Sequence, residues 1–221
     1  KKIFEIYIKR IDPGKYILLD EDINELKKSE TLLDDEIHNM SLATINKAYE
    51  IRKKRIVQVE AIQQKIFADK INIVTQFKMV KNPDDLTWCK NIDDLEKRWR
   101  DIIHQMVLNT YISMIIEKSI LSDKENKVKE PNKTEQENPL TGEIESIENG
   151  KKLIDYAKLS KMPIDEEKLN EAIAKVKKNL GIRFKRINEE GEVGNFNSYM
   201  NALCGAYDPH TAYHMPEEKE S

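Results

Sequence analysis

Long segments with the period of an α-helix dominate this sequence and limit the folds that it can adopt. Residues 41–70 carry apolar side chains at spacings of three and four, which is the pattern of an amphipathic helix. A helix over this range would be about 45 Å long at a rise of about 1.5 Å per residue. Similar apolar runs cover residues 92–121, 165–187 and 193–207. Together they predict an all-α fold, an elongated bundle of amphipathic helices.

One or two short extended segments interrupt this helical pattern. Residues 15–19 are apolar and follow a turn signal, and residues 71–80 are rich in Ile, Val and Phe with rough alternation. Residues 122–150 lack aromatic side chains and are mostly polar, so they cannot bury enough apolar area to offset their chain entropy. We therefore expect one helical domain over 1–221, a flexible polar insertion at 122–150 and a short helix at 151–162.

The charge pattern is that of a protein with solvated helix faces. Charged residues make up 35% of the sequence and the formal net charge is −3, with no dense basic patch interleaved with aromatic side chains. This pattern excludes nucleic acid as an expected partner. The basic run from Lys53 to Arg55, and Arg52 before it, is expected to lie on the wet face of its helix. No apolar run approaches the roughly 18–20 residues that span a bilayer, so no membrane span is expected.

The first residue and the two cysteines bear on the origin of the chain. It starts at Lys1 and carries no signal peptide, so we expect an excised or processed piece of a longer protein. Cys89 and Cys204 lie far apart and match no metal-binding spacing. Two separate thiols and, in an oxidising compartment, one disulfide are both compatible with this pattern.

Two Asp-Pro sequences mark places where a helix must end. Asp12-Pro13-Gly14 follows the first amphipathic run; Pro presets one backbone dihedral there, and Gly tolerates a positive φ. Asp208 precedes Pro209, which disfavours the α conformation at Asp208 and ends the last helix at this point. Residues 211–215 then form a short extended exit.

The tryptophans and two capping residues help to place the remaining helices. Trp88 and Trp99 are expected to pack in the core. Asn91 is a good N-cap for the helix that follows it, and Asp165 is a good N-cap for the last long helix. Gly181 costs that helix only about 1 kcal/mol relative to Ala, so the helix is expected to continue through it.

No constellation of residues in this sequence predicts a reaction. His210 and His214 have the spacing of two zinc ligands on a helix, but Pro209 and Pro216 bracket them and the intervening segment is extended. We therefore predict a structural hydrogen bond at His210, and metal-dependent hydrolysis through this pair is only a third hypothesis. The sequence contains no G-x-S-x-G motif and no phosphate-binding or dinucleotide-binding glycine loop. No catalytic, cofactor-binding or metal-binding residue is predicted.

The string from Asp208 to Pro216 resembles the end of the N-terminal region of tail-specific proteases, the carboxy-terminal processing serine peptidases. Weaker similarities extend toward the start of the chain. The residues that we assign to this family motif, in a structural role, are Asp12, Pro13, Trp88, Trp99, Asp208, Pro209, His210, Thr211, Tyr213 and Pro216. Relative to the family, residues 122–150 look like an insertion.

This resemblance implies a non-catalytic function for the chain. In such proteases the helical region precedes a PDZ domain, which binds the substrate's C-terminus, and a catalytic domain with a serine nucleophile and a lysine base. The resemblance thus implies a non-catalytic scaffold of a periplasmic serine endopeptidase, without cofactors. Its partners would be the PDZ and protease domains, peptide substrates and an adaptor protein. The alternative is a free-standing helical protein–protein interaction module.

Overall fold

Five α-helices form the regular structure in a computed structural model that describes residues 1–33, 36, 39, 41–73, 85–128 and 163–215. Side chains are described outside residues 117–128. The helices are α1 (Lys2–Ile11), α2 (Asp20–Lys27), α3 (Ala43–Ala68), α4 (Ile92–Val128) and α5 (Glu166–Tyr207). Within these ranges there is no strand, and one isolated bridge joins Leu19 to Cys89. The predicted all-α bundle is confirmed.

Helix α5 lies at the centre of the bundle, because α1, α3 and α4 all pack against it. A stripe of its apolar residues, which includes Val176, Leu180 and Phe184, recurs at helical spacing and is buried in the shared core. Asp165 caps its first turn as predicted, accepting a hydrogen bond from the backbone N–H of Lys168 at 3.1 Å. This central position explains why the last third of the chain is needed to complete a core that starts at residue 3.

A single residue divides α5 into two parts. Gly191 has φ 51° and ψ −142°, a conformation outside the helical region that a residue with a side chain rarely adopts. The predicted turn at 189–194 is therefore a kink at one glycine. Beyond the kink, the buried Asn195 donates to the carbonyl of Ile45 at 3.0 Å and accepts from the Tyr7 hydroxyl at 2.7 Å. These two bonds fix the second part of α5 against α1 and the start of α3.

Some predicted boundaries differ from the observed ones. Helix α4 ends at Val128, seven residues beyond its predicted end, so residues 122–128 are helical. The predicted boundary was wrong because these polar residues include good helix formers, which favour the continuation of an existing helix. The rest of the predicted insertion, the helix at 151–162 and most of the extended segment 71–80 lie outside the described residues. None of the described helices is long and apolar enough to cross a membrane.

Trp99 joins three parts of the chain in the core. Its side chain is 1% exposed, and its ring meets those of Tyr16 and Phe184 edge-on, at centroid distances of 5.4 Å and 5.8 Å. Trp88 is half-buried and packs at the edge of the core, beside the ammonium group of Lys15. The predicted core position is therefore confirmed in full for Trp99 and in part for Trp88.

Replacing Trp99 with Ala should lower the free energy of unfolding by about 3–5 kcal/mol, because it leaves a cavity where α4, α5 and residue 16 meet. Urea denaturation followed by circular dichroism measures this change. Trp88→Ala is the matched control and should cost clearly less, since that ring is partly in solvent. An equal loss in the two variants would contradict the assigned core.

Candidate functional site

The first Asp-Pro corner opens a segment that runs through the core without regular structure. Residues 12–19, called here the buried segment, connect α1 to α2, and Ile17, Leu18 and Leu19 are almost completely buried. Buried backbone groups that no helix or sheet satisfies need other partners. Asp12 supplies most of them: its carboxylate accepts the backbone N–H groups of Tyr16, Ile17 and Leu18 at 3.1, 2.9 and 2.9 Å.

Side chains from two other helices satisfy further backbone groups of the buried segment. The Trp99 indole N–H donates to the Tyr16 carbonyl at 2.7 Å, and Arg98 donates to the Lys15 carbonyl. Asp22 of α2 accepts the Leu19 N–H at 2.8 Å. Residues chosen from the sequence, Asp12 and Trp99, therefore act on the same short stretch of backbone.

The glycine of this corner has a different role from the predicted one. Lys15, not Gly14, has the positive φ, at 51°. Gly14 is needed for space, because a β-carbon there would overlap the ring of Tyr16. Pro13 is exposed at the surface beside it. The turn was predicted at the right position, but the reason given for the glycine, a positive φ, was wrong.

Burial dominates the electrostatics of Asp12. Desolvation raises the pKa of its carboxyl from 3.8 to about 6, against the opposing effect of the N–H groups of Leu18 and Ile17 and of the charges on Arg52 and Arg98. Burial also disfavours the charged form of Arg52 and so lowers the pKa of its guanidinium group. The carboxyl group is thus held in a place where its charge is costly and its hydrogen bonds are needed.

The second Asp-Pro corner is a compact turn at the end of α5. Asp208 leaves the helix in an extended conformation, as predicted, and its carboxylate accepts the His210 backbone N–H at 3.0 Å and the Thr211 hydroxyl at 2.8 Å. These bonds lower the pKa of Asp208, and the bond from the His210 backbone N–H has the largest effect. The structural hydrogen bond predicted at His210 is therefore made by its backbone N–H. Pro209 lies exposed in the turn.

The chain leaving this corner is clamped against α5. Asn201 donates to the Tyr213 carbonyl at 3.1 Å and accepts the Tyr213 backbone N–H at 3.2 Å. The Tyr213 ring also meets Phe196 edge-on, with centroids 6.1 Å apart. The Asn201 side chain thus bonds both backbone groups of Tyr213, as a neighbouring β-strand would. One asparagine therefore fixes the direction of the exit segment. Pro216 lies outside the described residues.

The two corners lie at opposite ends of α1. Asp12 directly follows its last turn, and Lys2 in its first turn donates to the Ala206 carbonyl at 2.8 Å, two residues before Asp208. A helix of this length spans about 15 Å. The structure therefore brings Asp12, Pro13, Trp88 and Trp99 together at one end, and Asp208 to Tyr213 at the other.

Two arginines of α3, Arg55 buried and Arg52 half-buried, were expected on the wet face of their helix and do not lie there. Arg55 binds Asp22 through two bonds, at 2.8 and 3.0 Å, with both side chains largely buried. Arg52 is half-buried, and its Nε has no hydrogen-bond partner among the described residues. The signal was available: positions 52, 55, 59, 62 and 66 share the spacing of the apolar stripe.

The histidines and cysteines form no site in the described part of the chain. There, no three His, Cys, Asp or Glu side chains are arranged to hold a metal ion. His210 and His214 both lie exposed in the non-helical exit. Cys89 and Cys204 are free thiols, so of the two alternatives the structure has the separate thiols.

The helices form one domain, and its two Asp-Pro corners are turns held by hydrogen bonds. The family model described as the tail specific protease N-terminal domain matches residues 1–217, nearly the whole chain. The chain belongs to this family. No individual curated protein matches its sequence.

The Asp12 carboxyl should titrate with a midpoint near pH 6. Because its folded pKa lies above the unfolded value, Asp12 contributes most to the free energy of unfolding below pH 3.8, and this contribution falls as the pH rises to about 6. Carboxyl ¹³C resonances measure the midpoint, and Asp12→Asn assigns the signal. Asp208 is the internal control and should titrate below 3.8. An Asp12 midpoint at or below 3.8 would overturn this description.

Replacing Asn201 with Ala should release the exit segment while leaving the helices folded. Loss of two hydrogen bonds, each worth about 1 kcal/mol, predicts roughly tenfold or faster chymotrypsin cleavage after Tyr213. Mass spectrometry of the fragments measures the rate at this bond. The control is Asn188→Ala, in the same helix, whose exposed side chain only reaches Glu60 at 3.3 Å. Equal cleavage of both variants and the wild type would contradict the clamp.

Proposed function

We propose that this chain is the non-catalytic helical scaffold region of a periplasmic carboxy-terminal processing serine endopeptidase. The observation that carries the proposal is the family match over residues 1–217, which places the chain in a domain of tail-specific proteases. In this proposal the serine and lysine of the reaction belong to a separate catalytic domain. The scaffold supports the enclosure that receives the substrate and offers a surface to an adaptor protein.

The geometry of the exit supports a scaffold role. The Asp208 turn and the Asn201 clamp hold the chain that leaves α5 on one path along the second part of that helix. A following PDZ domain would therefore start from a defined position relative to the bundle. The motif residues act, in this proposal, by setting that position, and none of them contacts a substrate.

An exposed aromatic side chain supports a contact between domains at the same place. Tyr207, the last residue of α5, is 82% exposed although it is directly beside the turn. Tyrosines are common anchors of protein interfaces, since they bury a large area at a small entropy cost. We assign Tyr207 to the contact with the domains that follow in the same protein.

The experiment compares two proteins: the chain 1–221, and the product of the reading frame extended beyond codon 221. The extended protein should cleave a peptide with an apolar C-terminus, and chain 1–221 should not. Cleavage by repurified chain 1–221 would contradict the non-catalytic role. A stop codon at this point would contradict the proposal and leave the free-standing interaction module as the alternative.

In the extended protein, Tyr207→Ser should lower kcat/KM about tenfold, since loss of an interface anchor costs on the order of 1–2 kcal/mol. The matched control is Val57→Ser, which replaces another exposed apolar residue, 63% exposed on α3. It should leave kcat/KM unchanged. Equal effects of the two substitutions would remove Tyr207 from the proposed contact.

A further inference from the structure

A pocket rich in arginine lies between α1, the buried segment, α3 and the first part of α5. Its volume is about 450 Å³, within the range of small-molecule sites. The pocket is lined by the arginines Arg10, Arg52, Arg183 and Arg186, by Asn179, and by the side chains of Ile11, Pro13, Tyr16, Ile17, Ile182 and Ile187. None of these eleven residues is acidic, so four positive charges surround one concave space.

The described contacts leave this charge largely uncompensated. None of the four arginines forms an ion pair with a carboxylate of the described residues. The guanidinium of Arg183 lies over the Tyr16 ring, 5.0 Å from its centroid, and donates to the neutral Tyr16 hydroxyl. Asp12 and Glu190 act on Arg52 at longer range, and the buried Nε of Arg52 lacks a hydrogen-bond partner.

We propose that this pocket binds a ligand in which a phosphate-type dianion is attached to a small apolar group. Guanidinium groups donate paired hydrogen bonds that match the oxygens of a phosphate, and these charge-assisted bonds are about twice as strong as neutral ones. The isoleucines and Pro13 provide the apolar part of the wall. This inference is independent of the role proposed above for the chain.

The arrangement favours a phosphate over a carboxylate or an acidic peptide. A phosphate concentrates two negative charges and several acceptor oxygens at one point, whereas a carboxylate brings one charge and two oxygens. Four arginines around a single concavity match the denser charge. An acidic peptide would spread its charges along an extended surface, and here the charges converge from three helices.

Isothermal titration of the chain with phenyl phosphate, at constant ionic strength, tests this assignment. We expect saturable binding with one site per chain, tighter than that of inorganic phosphate or of phenylacetate. Arg10→Gln and Arg186→Gln should each weaken phenyl phosphate binding about tenfold, because each removes one charge-assisted hydrogen-bonding group. Both side chains are exposed on different helices, so circular dichroism should show that the fold is kept.

The matched control is Lys185→Gln, which removes one charge from the same helix beside Arg186 but outside the pocket lining. It should change the affinity less than about twofold, since exposed charges act weakly through water. The proposal is overturned if phenyl phosphate gives no saturable binding, if Lys185→Gln weakens binding as much as Arg186→Gln, or if phenylacetate or a glutamate-rich peptide binds more tightly.

Vesicles identify the source of the phosphate group. Cosedimentation with phosphatidylcholine vesicles that contain phosphatidic acid, lost in Arg186→Gln and kept in Lys185→Gln, would assign the pocket to a lipid headgroup. Phenyl phosphate binding without such cosedimentation would assign it to a free phosphoester.

Discussion

The fold depends on satisfying the polar backbone of a loop that passes through the core. The buried segment places Ile17, Leu18 and Leu19 inside the protein, where an unpaired N–H or C=O group costs about 1–3 kcal/mol. Asp12 accepts three of these N–H groups and Trp99 donates to one of the carbonyls. Since Trp99 also packs on Phe184, the same side chain ties this loop to α5. The position of α1 follows from this anchoring, and through α1 so does the position of the second corner, where Lys2 reaches Ala206.

Much of the fold could be predicted because its signals are local. The apolar stripes predict α3, α4 and α5, since burying such a face requires other helices. Asn91 and Asp165 fix two helix starts through bonds to N–H groups only three residues away, at 2.9 and 3.1 Å. The end of α4 was missed because a polar helix end has no such signal. The sequence placed the kink at Gly191 only within a six-residue turn. The residues after it are fixed by the bonds of Asn195 to Tyr7 and Ile45, which are distant in sequence.

The sites depended more on contacts distant in sequence, and these could not be read from a single chain. Asp208 was recognised from its string, whose bonds reach only two or three residues. The helical spacing of Arg55 indicated the apolar stripe, but its partner Asp22 could not be identified because it lies 33 residues away. The arginine-rich pocket was missed for the same reason, because residues of α1, α3 and α5 contribute to it. Among the described residues its four arginines form no ion pair with a carboxylate, and Asp12 and Glu190 act on Arg52 only at longer range. We therefore assign the pocket to a ligand, separately from the scaffold role that the family supports.

The two corners are held in place only if they form one cooperative unit with the helices. Amide hydrogen exchange at single-residue resolution tests this most directly. The amides of Ile17 and Leu18, bonded to Asp12, should exchange with the same opening free energy as the amides of Leu180 and Phe184 in the buried first part of α5. The amide of Tyr213, bonded to Asn201, should show clear protection. Exchange of all three at the rate of an unstructured peptide, with α5 still protected, would contradict a frame that holds both corners in place.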